Sequence, residues 1–460
     1  MSLSLERQAK LWGSRVAVVD GNTAVSYDLL ARRVESTANR LAEFGIGPGD
    51  RVAVISRNRL ESVVLLFATW RVGGMFAPVS HRLTPATVSR PVEEIDPDLL
   101  LYESAQRDLV RQFDAQSFDE FEHDESSSVE SADEWTTAFD QRDTCLLVHT
   151  DDGRRIVRLS RRAIEWTCIV AISGWGLGRT DCTIILLPLS VSHCLLRFAL
   201  PLLMVGGRLV LQRAFDPERA MAAIEEHDVT CFGAGPTELR ELVDAHAGTN
   251  RPSITSLDSI DWIATRARVP PDVREGFPVP LVRVYGRPET GPNVLRETPD
   301  GGQVAHPFPN CEVRTEDETG ELFVRSPTTA NGYLGGERFG EWVSTGDLFR
   351  RDDEGYAFVG RASEPFESEG EQVHPRAVET VLESHPDVRA AGVIEAVEET
   401  GGVAPKAVVV GDVSPGELRE FAEERLEPYE VPRAIEMVSS LPRRTTGELN
   451  RGELRKRFGG

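Results

Sequence analysis

Apolar positions change period several times along this chain, and each change marks an element. Short apolar runs at residues 16–19 and 51–55 predict strands, whereas residues 27–44 and 60–72 repeat apolar side chains every three or four positions and predict helices. Between the first helix and the second strand, Gly45-Ile46-Gly47-Pro48-Gly49-Asp50 gathers residues that interrupt both. Strands alternating with helices predict an α/β sheet with parallel pairing. Residues 145–150, 184–187 and 207–211 predict further strands. Residues 217–226 predict a helix capped by Asp216, with Pro217 at its first position.

After Gly360 the pattern describes a second, smaller unit: helices at 376–384 and 415–425, strands at 390–395 and 407–410. The expectation is therefore a large N-terminal α/β domain, residues 1–360, with mixed sheets, followed by a small mobile α+β domain, residues 361–460. Residues 116–143 are rich in Asp, Glu and Ser and are expected to form a solvated loop or linker. The most apolar stretch, 182–207, carries Ser190, Ser192, His193 and Arg197 and two prolines, so it reads as core rather than a membrane span.

Composition narrows the function classes. The 460 residues are 40% hydrophobic and 27% charged, as expected of a folded chain. A net charge of -23 argues against nucleic-acid or anionic-membrane partners, because the mean field repels phosphate. Any nucleotide needs a local positive site. Lysine is confined to Lys10, Lys406 and Lys456, so arginine carries the positive charge. This balance fits a salt-rich cytosol, where screening relieves self-repulsion; a GC-rich genome would also favour arginine. The six cysteines form no Cys-x-x-Cys pair and are expected to be buried thiols. His149, His193 and His374 are isolated and lack metal-ligand spacing. No basic start precedes an apolar run at the N-terminus, so a cytoplasmic location is expected.

An ordered series of motifs then carries a resemblance. Val25-Ser26-Tyr27-Asp28-Leu29-Leu30, Gly73-Gly74-Met75-Phe76-Ala77-Pro78-Val79, Leu186-Leu187-Pro188-Leu189, Tyr285-Gly286-x-x-Glu289-Thr290, Ser344-Thr345-Gly346-Asp347-Leu348, Gly360-Arg361 and Leu441-Pro442-Arg443 follow one another along the chain. Together they resemble the adenylate-forming superfamily of acyl-CoA synthetases, luciferases and adenylation domains. That resemblance implies ATP or AMP, magnesium and coenzyme A as cofactors, and a small carboxylic acid as substrate. It implies a lid that turns about a hinge after Gly360-Arg361, first making acyl-AMP and then transferring the acyl group to a thiol. It also implies roles for single residues. Tyr285 would lie against adenine, Asp347 would bind the ribose hydroxyls, Arg361 would approach ribose or phosphate, and Glu289 would help hold magnesium. These roles suit the chemistry, since a carboxylate accepts two hydroxyl hydrogens and oxygen donors suit magnesium. His193 and the Gly233-Ala234-Gly235 segment would line the acyl pocket. The two glycines would leave room for a bulky or aromatic acid such as o-succinylbenzoate.

The chain also departs from that family. The phosphate loop keeps Thr150 and can use Arg155 where a lysine is usual, but Asp151 and Asp152 replace serine and glycine, and the loop is shorter. Acceptor-only side chains facing phosphate repel it. Glu448 stands where the resemblance calls for the catalytic lysine, with Lys456 nearby on the terminal helix. Thr265-Arg266-Ala267-Arg268 replaces a small-residue segment beside adenine, and residues 363–371 are crowded with glutamates. The cleft is therefore expected to be negative and cramped toward a polyphosphate. Two functions stay open: a carboxylate–CoA ligase with a weakened ATP half-reaction, and a non-catalytic paralogue that binds acyl-CoA, an adenylate or a partner ligase.

Overall fold

The computed structural model describes residues 4–122, 140–150, 155–247, 262–265, 269, 271–277, 279–298, 304–316, 320–361, 366–368, 371–397, 403–443 and 449–459. Two sheets organise the larger part. One runs Gly332–Tyr333, Ile156–Ser160, Thr144–His149, Met75–Val79, Arg51–Ile55, Leu99–Tyr102, Gln116–Ser117, parallel in its centre and antiparallel where Thr144–His149 meets Ile156–Ser160. The other has thirteen strands. Its strands from Val16–Asp20 through Arg208–Leu211, Cys182–Ile185, Cys231–Gly233 and Trp262–Thr265 to Leu281–Arg287 pair in parallel. At Leu281–Arg287 the pairing turns antiparallel, into the hairpin with Gly291–Glu297. The run of parallel strands ends there, and in open α/β sheets ligands bind in the crevice outside the carboxyl ends of such strands.

Helices fill the space between the sheets. Leu60–Arg71 is buried from Val63 through Trp70 and lies in the core along most of its length, with only its ends, at Glu61, Ser62 and Arg71, partly exposed. Tyr27–Glu43 buries one stripe (Tyr27, Leu30, Val34, Ala38, Leu41) and is capped by Ser26, whose hydroxyl accepts from the Leu29 amide. The expected cap at Asp216 is formed in the same way, on the Arg219 amide. Residues 182–207 are core, and no helix among the described residues is long and apolar enough to cross a membrane. Five of the six cysteines are buried and Cys145 is partly so.

Two expectations are corrected. The strand expected at 184–187 is Cys182–Ile185, because the edge-to-edge pairing with Arg208–Leu211 begins at Cys182. The acidic stretch does not begin as a solvated loop. Gln116–Ser117 adds a strand beside Leu99–Tyr102, and Phe118–Glu122 is a helical turn that buries Phe118 and Phe121. Asp119 and Glu120 are exposed while two aromatics three residues apart reach the core, a pattern that overall composition conceals. Residues 123–139 lie outside the described ones.

The smaller part is a three-stranded sheet, Val388–Val397, Val403–Gly411 and Ala434–Met437, carrying helices Pro375–Leu382, Pro415–Glu423 and Arg451–Phe458. Its core of Val373, Val378, Leu382, Val393, Val409 and Leu418 is separate from those of the larger part. Mixed sheets in a large N-terminal part and a compact α+β C-terminal part are the architecture expected.

Candidate active site

The site grows from the hairpin at which the large sheet changes direction. Gly286 interrupts the pairing register, and a Cβ there would collide with the backbone of Gly291 and Pro292, so the hairpin closes only around glycine. The turn that follows is fixed by the Thr290 amide on the Arg287 carbonyl, 3.1 Å, and by the Ala330 amide on the Glu289 carbonyl, 2.9 Å. Glu289 is thereby held inward and is 3% exposed.

Asp347 is set from a different strand, Val343–Asp352. Thr345 anchors it: its hydroxyl donates to the Leu322 carbonyl at 2.7 Å and accepts from the Asp347 amide at 3.1 Å. Gly346 supplies the positive φ of 67° that lets the chain turn. Arg361 faces Asp347 across the sheet as its register partner on Gly355–Arg361.

These side chains join in one series. The Asp347 carboxylate accepts from the Tyr285 hydroxyl through Oδ2 at 2.7 Å and from Arg287 Nη1 at 3.1 Å, while Arg361 Nε stands 3.4 Å from Oδ1. The same Arg287 reaches Glu289, Nε to Oε2 at 3.4 Å and Nη2 to Oε1 at 3.5 Å. Glu289 Oε1 also accepts from the Tyr333 hydroxyl at 3.1 Å. The Arg155 guanidinium lies over the Tyr333 ring, 4.1 Å from its centroid. Burial, and then the Glu289 carboxylate, push the Tyr333 hydroxyl up to about 12, so it remains a donor at neutral pH. Burial and the neighbouring Asp347 push Tyr285 up as well.

The phosphate-loop candidates sit at the other sheet. Thr150 and Arg155 close the base of the loop between them: the Thr150 amide donates to the Arg155 carbonyl at 2.9 Å, and the Arg155 amide donates to Thr150 Oγ1 at 3.1 Å. Tyr333 arrives because Gly332–Tyr333 pairs with Ile156–Ser160, immediately after that loop. The structure thus brings together Tyr285, Glu289, Asp347, Arg361 and Arg155, with Thr150 at the base of the loop that Arg155 closes.

Asp151 and Asp152 lie outside the described residues, as do Arg266, Ala267 and Arg268, Ser363 to Pro365, Glu369, Gly370 and Glu448. Lys456 lies on helix Arg451–Phe458, as expected. Among the described residues the site gathers Arg155, Arg287 and Arg361 against Glu289 and Asp347. The negative cleft expected from the sequence rested on Asp151, Asp152 and Glu448, which lie outside the described residues. Sequence reasoning missed Arg287, although it stood inside the quoted motif as a positive residue between two expected nucleotide contacts. Tyr333 carried no local signal, since only strand pairing brings it in.

The acyl-pocket candidates give a further correction. His193 is buried at the start of a helical segment in which Leu195–Ala199 winds as a π-turn, a local widening that re-aims side chains. The space opposite Gly233 is taken by Phe198, whose Cε2 would stand 2.5 Å from an added Cβ. Gly235 faces the Glu238 carboxylate, at 2.7 Å on the same measure, and donates its amide to it at 3.1 Å. The room expected beside these glycines is filled by the protein's own side chains. Arg197, 1% exposed, donates from Nε to Asn293 Oδ1 at 3.0 Å and also to the Pro292 carbonyl. It ties this segment to the hairpin strand.

Comparison with known proteins agrees with the geometry. A family model described as AMP-binding enzyme matches residues 5–334, and one described as AMP-binding enzyme C-terminal domain matches residues 377–448. The chain is 29% identical over 490 residues to feruloyl-CoA synthase of an Amycolatopsis species, with 98% of each covered. It is 29% identical over 478 residues to 2-succinylbenzoate–CoA ligase of Bacillus licheniformis, again with 98% of each covered. Among solved structures, O-succinylbenzoate coenzyme A synthetase from Bacillus subtilis, in complex with ATP and magnesium ion, matches with a TM-score of 0.85 and 25% identity over 98% of both chains.

Proposed function

This chain belongs to the AMP-binding enzyme family, and on that premise we propose that it is an acyl-CoA synthetase-like enzyme whose ATP half-reaction is weakened or lost. In the full reaction a carboxylate oxygen attacks the α-phosphorus of ATP and pyrophosphate leaves. The sulfur of coenzyme A then attacks the acyl carbon, and AMP leaves as the carbon–oxygen bond breaks. Asp347 and Tyr285 would hold the nucleoside, Arg361 and Arg155 its phosphate, with Thr150 shaping the loop and Glu289 standing at the family's magnesium position. The lid would be residues 361–460, turning about the segment that follows Arg361.

The observation that carries this reading is the unbroken series from Arg155 through Tyr333, Glu289, Arg287 and Asp347 to Arg361. It groups the side chains that the resemblance assigns to an adenylate, and sets a guanidinium on both acids. Removal of one preorganised electrostatic donor costs roughly 2.7–4 kcal/mol of barrier, and Glu448 replaces such a donor with an acid. Arg287 also favours the second reading, a paralogue that binds acyl-CoA or an adenylate without making it. The names of the relatives support an aromatic carboxylic acid as the substrate class, with Phe198 narrowing the pocket at Gly233.

Pyrophosphate release from ATP, measured with a panel of aromatic acids in high salt beside acyl-CoA formation from supplied acyl-adenylate, separates the possibilities. Slow release with rapid thioester formation is the expected result. Brisk ATP-dependent release would refute the weakened half-reaction, and inactivity in both assays would favour the paralogue.

A further inference from the structure

The residues around Glu289 do not suit a magnesium ion as they stand. Both of its carboxylate oxygens already face Arg287, and Oε1 accepts the Tyr333 hydroxyl as well. A divalent cation needs unshared carboxylate oxygens and near-octahedral room. The guanidinium takes up those oxygens with its own positive charge, and its other edge spans to Asp347.

We propose that Arg287 is an internal counter-ion standing in for the divalent cation, so that this site takes an adenylate, a nucleoside with a single phosphate, independently of magnesium. The inference rests on the reading of this cleft as an adenylate site. Its charge supports that ligand class. Three guanidiniums against two carboxylates leave one excess positive charge among the described site residues, which matches the single ionised oxygen of the mixed anhydride in an acyl-adenylate. A triphosphate carries several charges and ordinarily brings its own cation, which here would meet Arg287 at close range. Arg287 is partly buried, at 14% side-chain exposure, and held at both ends, so it is preorganised rather than recruited. Tyr333 adds a fixed donor to Glu289 and a ring that supports Arg155 at the edge of the phosphate loop.

Calorimetric titration of the full chain with AMP and with the β,γ-methylene analogue of ATP, each with magnesium and with chelator, tests this. Coupling between two bound ligands is typically about 5–150-fold. In the wild-type chain the AMP affinity should change by less than about twofold between the two conditions. Arg287→Met should weaken AMP binding without metal and raise the magnesium coupling for the triphosphate analogue to roughly tenfold or more. Arg287→Lys, which keeps the charge, should stay near the wild type and guards against a folding defect.

Strong magnesium coupling in the wild type, or a methionine variant with no more coupling than the wild type, would overturn the proposal. Absence of AMP binding to wild type and to both folded variants would also overturn it, by removing the adenylate site itself. Neither result depends on pyrophosphate release. The failure of the counter-ion idea is therefore distinguishable from the failure of the weakened half-reaction.

Discussion

At the scale of single residues, the site is governed by whether each side chain's partners come from the protein or from a ligand. Asp347 and Glu289 are nearly enclosed carboxylates whose charge is balanced internally by arginine. Gly233 is the converse case, a residue whose missing Cβ is used by a neighbour. Gly233→Ala would drive a methyl into Phe198, and overpacking of this kind costs about 1–3 kcal/mol. The expected result is a lower denaturation midpoint and a change in KM for the acid larger than that for coenzyme A. An unchanged midpoint would mean that Phe198 moves freely and the pocket is wider than it stands here. Tyr285, Glu289, Asp347, Arg361 and Arg155 were legible as candidates because a resemblance fixes residues to motif positions. Arg287 was not, because a motif states what usually occurs and leaves its variable positions blank.

At the scale of elements, charged clusters fasten strand and helix ends to one another. Glu103, after strand Leu99–Tyr102, binds Arg57 at 2.6 Å and also Arg213, which follows Arg208–Leu211 in the other sheet. Burial alone would raise the Glu103 carboxyl, but the two arginines outweigh it and hold the pKa at about 2, below the ordinary value of 4.5. A depressed carboxyl contributes stability above the unfolded value and loses it as the pH falls toward the folded one. Nearby His81 is pushed down to about 4, first by burial and then by Arg82, with Glu103 opposing. Protonating it favours the unfolded chain, so its contribution fades as the pH falls from the ordinary 6.5. Glu103→Gln should therefore flatten the stability profile between pH 4.5 and 2, and His81→Asn between pH 6.5 and 4. Denaturation midpoints across the pH range check both, and parallel profiles for wild type and variants would reject the assignment.

The C-terminal unit has its own clasp. Glu379 on helix Pro375–Leu382 accepts from Arg451 at 2.7 and 2.8 Å and from the Val393 amide at 2.9 Å, and it meets Arg376 at 3.2 Å. One carboxylate thus joins two helices and a strand. Glu379→Ala leaves the enclosed Arg451 without its principal partner and should cost about 3 kcal/mol, since breaking a buried pair is costlier than never having it. Chemical denaturation of the full chain, followed by a probe in residues 371–459, measures that loss. A cost below about 1 kcal/mol would place the pair in the class of ordinary surface bridges.

At the scale of the whole molecule, a net charge of -23 acts against compactness. Screening lengths shrink from about 10 Å at 0.1 M salt to about 3 Å at 1 M, so added salt should relieve the repulsion. We expect the melting temperature to rise steadily with potassium chloride, well beyond the rise given by sucrose at matched osmolality. Equal effects of salt and sucrose would favour a base-composition origin for the arginine-rich, lysine-poor sequence.

Local periodicity and motif order, which depend only on near neighbours in the chain, determined helices such as Tyr27–Glu43 and Leu60–Arg71, the strands that begin the fold, the two-part architecture and the family, but left most of the strands unread. They determine elements because backbone geometry ties side-chain direction to sequence spacing. Tertiary structure alone decided that Tyr333 reaches Glu289, that Phe198 fills the space at Gly233, and that Arg287 reaches Asp347, sixty residues away in the chain, as well as its near neighbour Glu289. Such pairings are set by strand register and sheet packing, which bring distant segments into contact and leave no periodic trace in the sequence.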